Sequence, residues 1–512
     1  MAREITTRPL SVADVPAWDH EADVVVVGFG HAGAAAALGA LEHTPDVLIL
    51  ERGGSSEGTC GGVVYLGGGT PMQVAMGFED TPEAMATFLR SALGPGVDED
   101  KLHAYCWGSV DHYDWLVAND VPFPAGPDEE GFAFTFVPPD GYPEVGAAQY
   151  AGGGLTYTGG EQSYPFDEIT PAVPRGHLMR DPNEDPYALF DGAILRRLTG
   201  TLKSTTAKML FNMGVERLVL DDDGSIVGVE ARTFGERVLI RARRGVVLTT
   251  GGFIYNDEMV ARHSPSLLAA TKLGHGGQDG LGIRMAQATG ADLLHMDAHD
   301  ATLFMFPPIS FARGILFNSR GQRYINEDTY YGRTGNQTLK QPNADAYLLL
   351  DGDIYFEGAM RRPAYAGETL AELEEEIGLP PGSLASTVAY YNEHAETGDD
   401  PLFHKRAEFV KPINSPYAVI DLRNATSDRY LTVQLPVAGC LFAFTLGGLS
   451  TNTAGAVLDV QGDPVPRLFA AGRASAGLAV GGYCSGISLG DCTFFGRRAG
   501  QSAALTTPKE SS

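Results

Sequence analysis

Tyr483 and Ser485 stand two positions apart in Gly481-Gly482-Tyr483-Cys484-Ser485-Gly486. On an extended chain, residues two apart face the same side, so a phenol and an alcohol would be offered to one space. Such a pair can hold a polar atom by hydrogen bonding and pass a proton. The plainer alternative is that Tyr483 only packs and Ser485 only turns the chain. Directly downstream, Gly486-Ile487-Ser488-Leu489-Gly490 opens a helix that the sequence carries through Gly500. The first N–H groups of a helix lack intrahelical partners and carry partial positive charge. They favour a neighbour on which negative charge develops.

The other end of the chain indicates what that neighbour is. Val24-Val25-Val26-Val27 runs into Gly28-Phe29-Gly30-His31-Ala32-Gly33. An alanine-rich helix from Ala34 to Leu41 and the strand Val47-Leu48-Ile49-Leu50 follow, ending at Glu51. An unbroken β-branched run fits a parallel strand buried on both faces. Gly28 permits the tight turn, Gly30 lets backbone approach a pyrophosphate, and Gly33 lets helix and strand pack closely. The pyrophosphate sits at the helix N-terminus, and Glu51 accepts the ribose hydroxyls. Strand, turn, helix and acid together make a dinucleotide fingerprint. His31 is read as a solvent-facing loop residue within it.

The fingerprint alone does not separate flavin from nicotinamide. Arg52-Gly53-Gly54-Ser55-Ser56-Glu57-Gly58-Thr59-Cys60-Gly61-Gly62 continues with small residues, and Gly245–Gly252 repeats the strand-into-small-residue pattern. Leu468-Phe469-Ala470-Ala471-Gly472-Arg473 then leads the chain back toward the hydroxyl pair. Contacts from so many distant segments suit the length of FAD. The positions read as cofactor-contacting are Gly28, Gly30, His31, Ala32, Gly33, Glu51, Arg52, Thr59, Gly61, Gly62, Thr250, Gly251, Gly252, Asp279, Gly472, Arg473, Ser488 and Leu489. No cysteine, histidine or tyrosine pattern suggests a covalent link, so the FAD is expected to be non-covalent. The helix beginning after Gly486 would face the flavin edge that gains negative charge on reduction.

Elements that position these groups follow from the pattern of the chain. Its 512 residues suffice for two or three domains, and 44% hydrophobic content is ordinary for a globular protein. The expected class is α/β: a Rossmann-like FAD-binding domain carrying an inserted α+β catalytic domain. Residues 1–20 read as a loose arm. Residues 21–294 alternate strands and helices, including a β-hairpin from Leu218 to Val229 and a helix opened by Gly277-Gln278-Asp279-Gly280. Residues 295–436 change to short strands, proline-broken loops and one polar helix, Leu370 to Ile377. Residues 437–507 complete the first domain. The aromatics Phe132, Phe134, Phe136, Tyr142, Tyr150 and Tyr157 either lid an apolar pocket or pack their own loop.

A net charge of -27 argues against nucleic acid as a partner. No run of about 18 apolar residues suggests a membrane span. Five scattered cysteines form no zinc spacing, no metal site is expected, and reduced thiols fit a cytoplasmic setting. Cys484 and Cys492 are read as small packing residues.

Five segments carry a family resemblance: Tyr65–Pro71, Pro174-Arg175-Gly176-His177, Arg320–Tyr324, Glu327-Asp328-Thr329-Tyr330 and Gly481–Gly486. With them the chain resembles the FAD-dependent family of fumarate reductases and 3-ketosteroid dehydrogenases, and most closely the 3-ketosteroid Δ4-(5α)-dehydrogenases. The resemblance implies desaturation of a 3-ketosteroid between C4 and C5, with an unidentified electron acceptor. It implies catalytic roles for Tyr483 (holding the C3 oxygen), Ser485 (taking the C4 proton) and Tyr330 (relaying it toward solvent). Tyr331 competes for the relay, and on an extended chain only one of two neighbours reaches the pocket.

Other functions remain open. A dicarboxylate reductase on the same scaffold needs a cationic clamp, and Arg333 is out of register for it. A redox-neutral isomerase or hydratase, or a non-catalytic flavoprotein, would share the fingerprint.

Overall fold

A computed structural model describes residues 6–56, 58, 62–123, 150–152, 154–179, 192–305, 309–355, 363–423 and 440–509. Thr59, Gly61 and the aromatics Phe132, Phe134, Phe136 and Tyr142 lie outside them. Strand β1 (His20–Val27) runs into helix α1 (His31–Leu41) and strand β2 (Val47–Leu50). Strand β3 (Lys208–Leu210) precedes a meander of β4 (Gly214–Leu220), β5 (Ile226–Thr233) and the long β6 (Glu236–Leu248). The middle segment contributes β7 (His299–Leu303), α2 (Tyr331–Thr338), α3 (Leu370–Ile377) and α4 (Ser383–Ala395). The return is made by β8 (Leu441–Thr445), β9 (Pro464–Ala470) and the terminal helix α5 (Ile487–Leu505).

β1 lies between β2 and β6 in a parallel array, and β9 joins the far side of β6. The register pairs Val27 with both Leu50 and Leu248, and Leu248 with Ala470. The residues that follow, Gly28, Glu51, Thr249 and Ala471, therefore emerge side by side at the carboxyl ends of four strands. In open α/β sheets that edge is where ligands bind. The four valines of β1 alternate between two cores, Val25 and Val27 on one face and Val24 and Val26 on the other. That two-sided burial is why they form no polar–apolar pattern.

α1 and α5 cover one face of this sheet at backbone range. A Cβ on Gly496 would lie 2.7 Å from Ala32 O, and one on Gly39 2.3 Å from Arg497 O. The first and last helices thus form one layer. In the middle segment an antiparallel sheet of Ile315–Phe317, Tyr347–Asp351, Tyr417–Asp421 and Tyr365–Gly367 is flanked by helices. β7 pairs with β8, so the segment leaves and returns on adjacent strands.

Three expectations change. The N-terminal residues are not loose: Leu10–Ser11 pair in parallel with β4, while Leu10, Val12, Val15 and Trp18 make a small core with Val219 and Leu239. The middle segment holds more than the helix at 370–377. α4 buries Leu384, Val388, Tyr391 and Ala395 at helical spacing, a stripe diluted in the sequence by Ser383, Ser386 and Thr387. His31 is not solvent-facing; it opens α1 and is 8% exposed.

Candidate active site

The cleft at the strand ends is lined by Gly28, Gly30, His31, Ala32, Glu51, Arg52, Thr250, Gly251, Asp279, Gly472, Arg473, Ser488 and Leu489. Gly28 turns there with φ +101, and a Cβ on it would lie 2.6 Å from Thr249 O. Only glycine combines that backbone conformation with that clearance. Glu51 Oε2 accepts the Phe29 N–H at 2.8 Å and Oε1 the Gly53 N–H at 2.6 Å, which fixes the carboxylate at the cleft edge. Arg52 crosses the cleft to Asp279 at 2.8 Å and to Gly277 O at 2.7 Å. Gly33 and Gly252 lie outside the lining. A Cβ on Gly33 would meet Gly28 O at 2.0 Å, and one on Gly252 would meet Thr445 Oγ1 at 2.5 Å. Gly62 is described, with φ +71, but also does not line the cleft.

The cleft passes a test for a polar cofactor. His31 Nε2, Thr250 Oγ1 and Gln278 Oε1 are buried without hydrogen-bond partners, and all three residues line it. Unsatisfied buried polar atoms are costly and point to a missing partner. Burial holds the His31 imidazole at a pKa of about 4, with Arg473 adding repulsion, so it is neutral near pH 7. Gln278 carried no signal in the sequence beyond the glycines around it.

Beyond the cleft, the segment before α5 is held by backbone bonds to the end of the helix Pro82–Ala92 and to Thr158. The N–H groups of Gly481 and Gly482 donate to Leu93 O at 2.8 and 2.9 Å, and Ser485 N–H donates to Thr158 O at 2.8 Å. Gly486 caps α5 at φ +93, where a Cβ would sit 2.8 Å from Tyr65 N. Ser488 and Leu489 in the first turn of α5 reach the cofactor cleft.

Ser485 Oγ is 3.0 Å from Tyr330 Oη, and it also hydrogen-bonds Tyr331 Oη. The expectation that only one tyrosine could reach the pocket is corrected. Tyr330 is the N-cap of α2 and Tyr331 its first residue, so the pair is not extended and the rings lie 4.5 Å apart. The helix start at Tyr331 was the missed signal. Tyr483 Oη accepts the Ser488 N–H at 3.4 Å, which leaves its own proton available. Its ring meets Phe444 edge-on at 5.3 Å, while Phe304 packs on Tyr331 at 5.4 Å and on Phe442 at 5.6 Å. Hydroxyls converge inside an apolar wall.

Burial raises the pKa of Tyr330 and Tyr483, and raises that of Tyr331 to about 12 against the favourable Ser485 hydrogen bond. All three phenols are protonated near neutrality. Tyr330 is only 3% exposed, which gives a relay through it no direct outlet to solvent. Burial also raises the Cys484 thiol, which packs inertly near Phe88 and the backbone of Gly159. Cys492 lines the cofactor cleft, its thiol directed at Leu489 O at 3.3 Å.

Other segments of the resemblance are scaffolding. Arg175 is fully buried and grips Asp80 at 2.7 and 2.9 Å; Asp80 in turn accepts Gly68 N–H at 2.9 Å. His177 links Thr70 to Arg175 O, with burial lowering its pKa to about 4. Arg323, Glu327, Asp400 and Lys405 form a buried ionic network in the middle segment. Arg333 turns to Asn326 Oδ1 at 2.6 Å.

The family model of the FAD binding domain matches residues 23–489. The crystal structure of a 3-ketosteroid Δ4-(5α)-dehydrogenase from Rhodococcus jostii RHA1, in complex with 4-androstene-3,17-dione, shares 44% identity with a TM-score of 0.85. It covers 98% of this chain and 100% of that one. A 3-oxo-5-alpha-steroid 4-dehydrogenase of Comamonas testosteroni is 25% identical over 90% of this chain and 94% of its own. A probable fumarate reductase of Shewanella frigidimarina is 26% identical over 94% of this chain and 74% of its own. This chain belongs to the FAD binding domain family and is an FAD-dependent oxidoreductase.

Proposed function

We propose that the chain desaturates a 3-keto-5α-steroid between C4 and C5, giving the 4-ene-3-ketone. The observation that carries this reading is the convergence of Tyr330 and Tyr331 on Ser485 within an apolar wall. Similarity at 44% identity to the Rhodococcus jostii dehydrogenase supports it. FAD, non-covalently bound, supplies the acceptor for the hydride that leaves C5. Its holders are the fingerprint glycines, Glu51, Arg52, Thr250, Gly472 and the first turn of α5.

The chain's own residues make the C4 proton removable. Tyr483 donates a hydrogen bond to the C3 oxygen and stabilises the enolate as it forms. Ser485 accepts the C4 proton and passes its own to a tyrosine hydroxyl. A serine alone is a poor base, so the paired phenols are needed to drain the proton. Phe304, Phe442 and Phe444 exclude water from these steps. Residues 21–294 and 437–507 act as the FAD-binding domain and 295–436 as the inserted substrate domain, a division supported by the pairing of β7 with β8.

Mixing the yellow protein anaerobically with a 3-keto-5α-steroid should bleach the flavin and yield the 4-ene-3-ketone. A 3-hydroxysteroid should not, since its C4 proton is not acidic. Bleaching by succinate instead would move the protein to the dicarboxylate enzymes, as its fumarate reductase relatives would suggest.

A further inference from the structure

Behind the tyrosine pair lies a carboxyl group that the steps above leave unused. Asp300 sits in β7, 1% exposed, opposite Phe444 of β8. Helix α2 crosses β7 at backbone range, because a Cβ on Gly335 would lie 2.0 Å from Ala301 O. One turn earlier, the position a Gly332 Cβ would take is 2.8 Å from Tyr330 Cζ and 2.9 Å from Asp300 Oδ1. The carboxyl oxygen and the edge of the Tyr330 ring, whose Cε1 is 2.3 Å from that position, thus close on the same point, while Tyr330 Oη makes its own hydrogen bond to Ser485 and none to Asp300.

The surroundings of Asp300 offer little to an anion. Thr302 Oγ1 donates to Oδ2 at 3.2 Å and Asn336 Nδ2 to Oδ1 at 3.4 Å, both long. Among the described residues no Lys, Arg or His forms an ion pair with it. The titratable groups close enough to feel its charge are Tyr330 and Tyr331 at the start of α2, and Tyr483 and Cys484 before α5. On its own strand His299 turns instead to Ser264 and Asp297. β8 presents the apolar Phe444. Burial therefore pushes the Asp300 carboxyl up to about 7.

The three phenols and Ser485 are neutral hydroxyls, and none of them can keep a proton taken from carbon. We propose that Asp300 is the proton store of the Tyr330–Ser485–Tyr331 cluster, switching it on as a carboxylate and off as an acid. This rests on the desaturase reading. As the substrate C–H bond breaks, its electron pair stays on the substrate as the enolate and its proton goes to Ser485 Oγ. Ser485 passes its own proton to Tyr330 Oη, Tyr330 gives up its phenolic proton, and the Asp300 carboxylate takes it up as a carboxylic acid, a water carrying it across the gap that no direct hydrogen bond spans. The two electrons leave afterwards with the hydride, for which FAD is the oxidant. Asp300 touches neither substrate nor cofactor; it is a positioning residue that acts through the tyrosines.

The test uses holoenzyme and two readouts. In single-turnover flavin reduction by a 3-keto-5α-steroid, the wild-type rate should rise with pH through about 7. Asp300→Asn should lose that limb and be slower by at least about ten-fold, with steroid affinity unchanged. Thr302→Val removes one donor to the anion, and should keep the high-pH rate while moving the limb upward. It also serves should Asp300→Asn fail to fold. Infrared pH-difference spectra of holoenzyme without steroid should show a carboxylic-acid C=O band titrating near neutrality. The band should vanish in Asp300→Asn and shift in Thr302→Val and Tyr330→Phe. A limb that persists in Asp300→Asn, a wild type without the band, or a band indifferent to Tyr330→Phe overturns the proposal. Should the wild type turn over no ketosteroid, the desaturase reading falls, and the infrared arm still decides whether Asp300 titrates in step with the tyrosines.

Discussion

Tyr330 Oη and Ser485 Oγ lie 3.0 Å apart although 155 positions separate them in the chain. One comes from the N-cap of a middle-segment helix, the other from the strap that leads into the last helix. Neither segment alone holds the whole hydroxyl cluster. Ser485→Ala should slow flavin reduction by at least about 100-fold, and Tyr483→Phe by roughly 100- to 1000-fold through loss of one enolate donor. Tyr330→Phe and Tyr331→Phe should both be impaired. The double mutant should lose less than the two effects combined, since the hydroxyls share one partner, Ser485 Oγ. Rapid-mixing absorbance of the flavin reads all five variants; a fully active Tyr331→Phe would show that its bond to Ser485 is idle.

Glu51→Ala should weaken FAD retention. The carboxylate holds two backbone N–H groups at the turn as well as facing the ribose position. A hydrogen bond to a charged group contributes about 1.5–3 kcal/mol, or roughly 10- to 100-fold in affinity. Flavin absorbance per chain after dialysis measures it, and unchanged cofactor content would mean that Glu51 is not part of the cradle.

Asp80→Asn should destabilise the fold by about 3–5 kcal/mol, because it strands the Arg175 guanidinium with both partners wholly out of solvent. Urea unfolding of the holoenzyme reads the loss. A change under 1 kcal/mol would indicate that water already reaches the pair, taking about 1 kcal/mol as the ceiling for exposed pairs.

Acid should unfold the protein early. His112 and His177 are buried with pKa values lowered to about 3 and about 4, chiefly by burial. Between those values and the unfolded value of 6.5 the unfolded chain binds more protons, so stability falls as pH falls through that window. Each histidine contributes a slope of up to about 1.4 kcal/mol per pH unit. His177→Gln, which keeps an amide near Thr70, should flatten the dependence of the melting temperature on pH between 6 and 4.5 on the order of one histidine's share. An unaltered slope would count against a buried neutral His177.

The cofactor cleft was legible because its chemistry is local. Val24 to Glu51 spell strand, turn, helix and acid in one continuous stretch, and the parallel, two-sided burial of the first strand could be inferred from them. The tyrosine pair was only half legible. The sequence marked Tyr330 but not the helix that begins at Tyr331, since Gly332 and Gly335 weaken helical propensity. Their purpose is to bring α2 against β7, a tertiary requirement that no local pattern records. Asp300 was invisible for the same reason, being a carboxyl within a strand whose neighbours come from two distant segments. His31 was misjudged because a fingerprint shows where the backbone turns and not which side chains it buries. Arg175 and His177, noticed through resemblance, serve the scaffold around Tyr65 and Thr70.

The backbone-range contact of α1 with α5 also orders events during synthesis. A Cβ on Gly500 would lie 1.9 Å from Ala36 O, so this face of the first helix takes α5 at backbone range. That element is made long after α1. Until α5 leaves the ribosome, this face of α1 stands uncovered, and the cofactor cleft lacks Ser488 and Leu489. Domains usually fold from the N-terminus as they emerge; this one must wait for residues 487–505 before the face of α1 that meets α5 is covered. A chain cut just before residue 487 would keep the fingerprint but lose the first turn of α5, and should retain flavin less well than the longer chain.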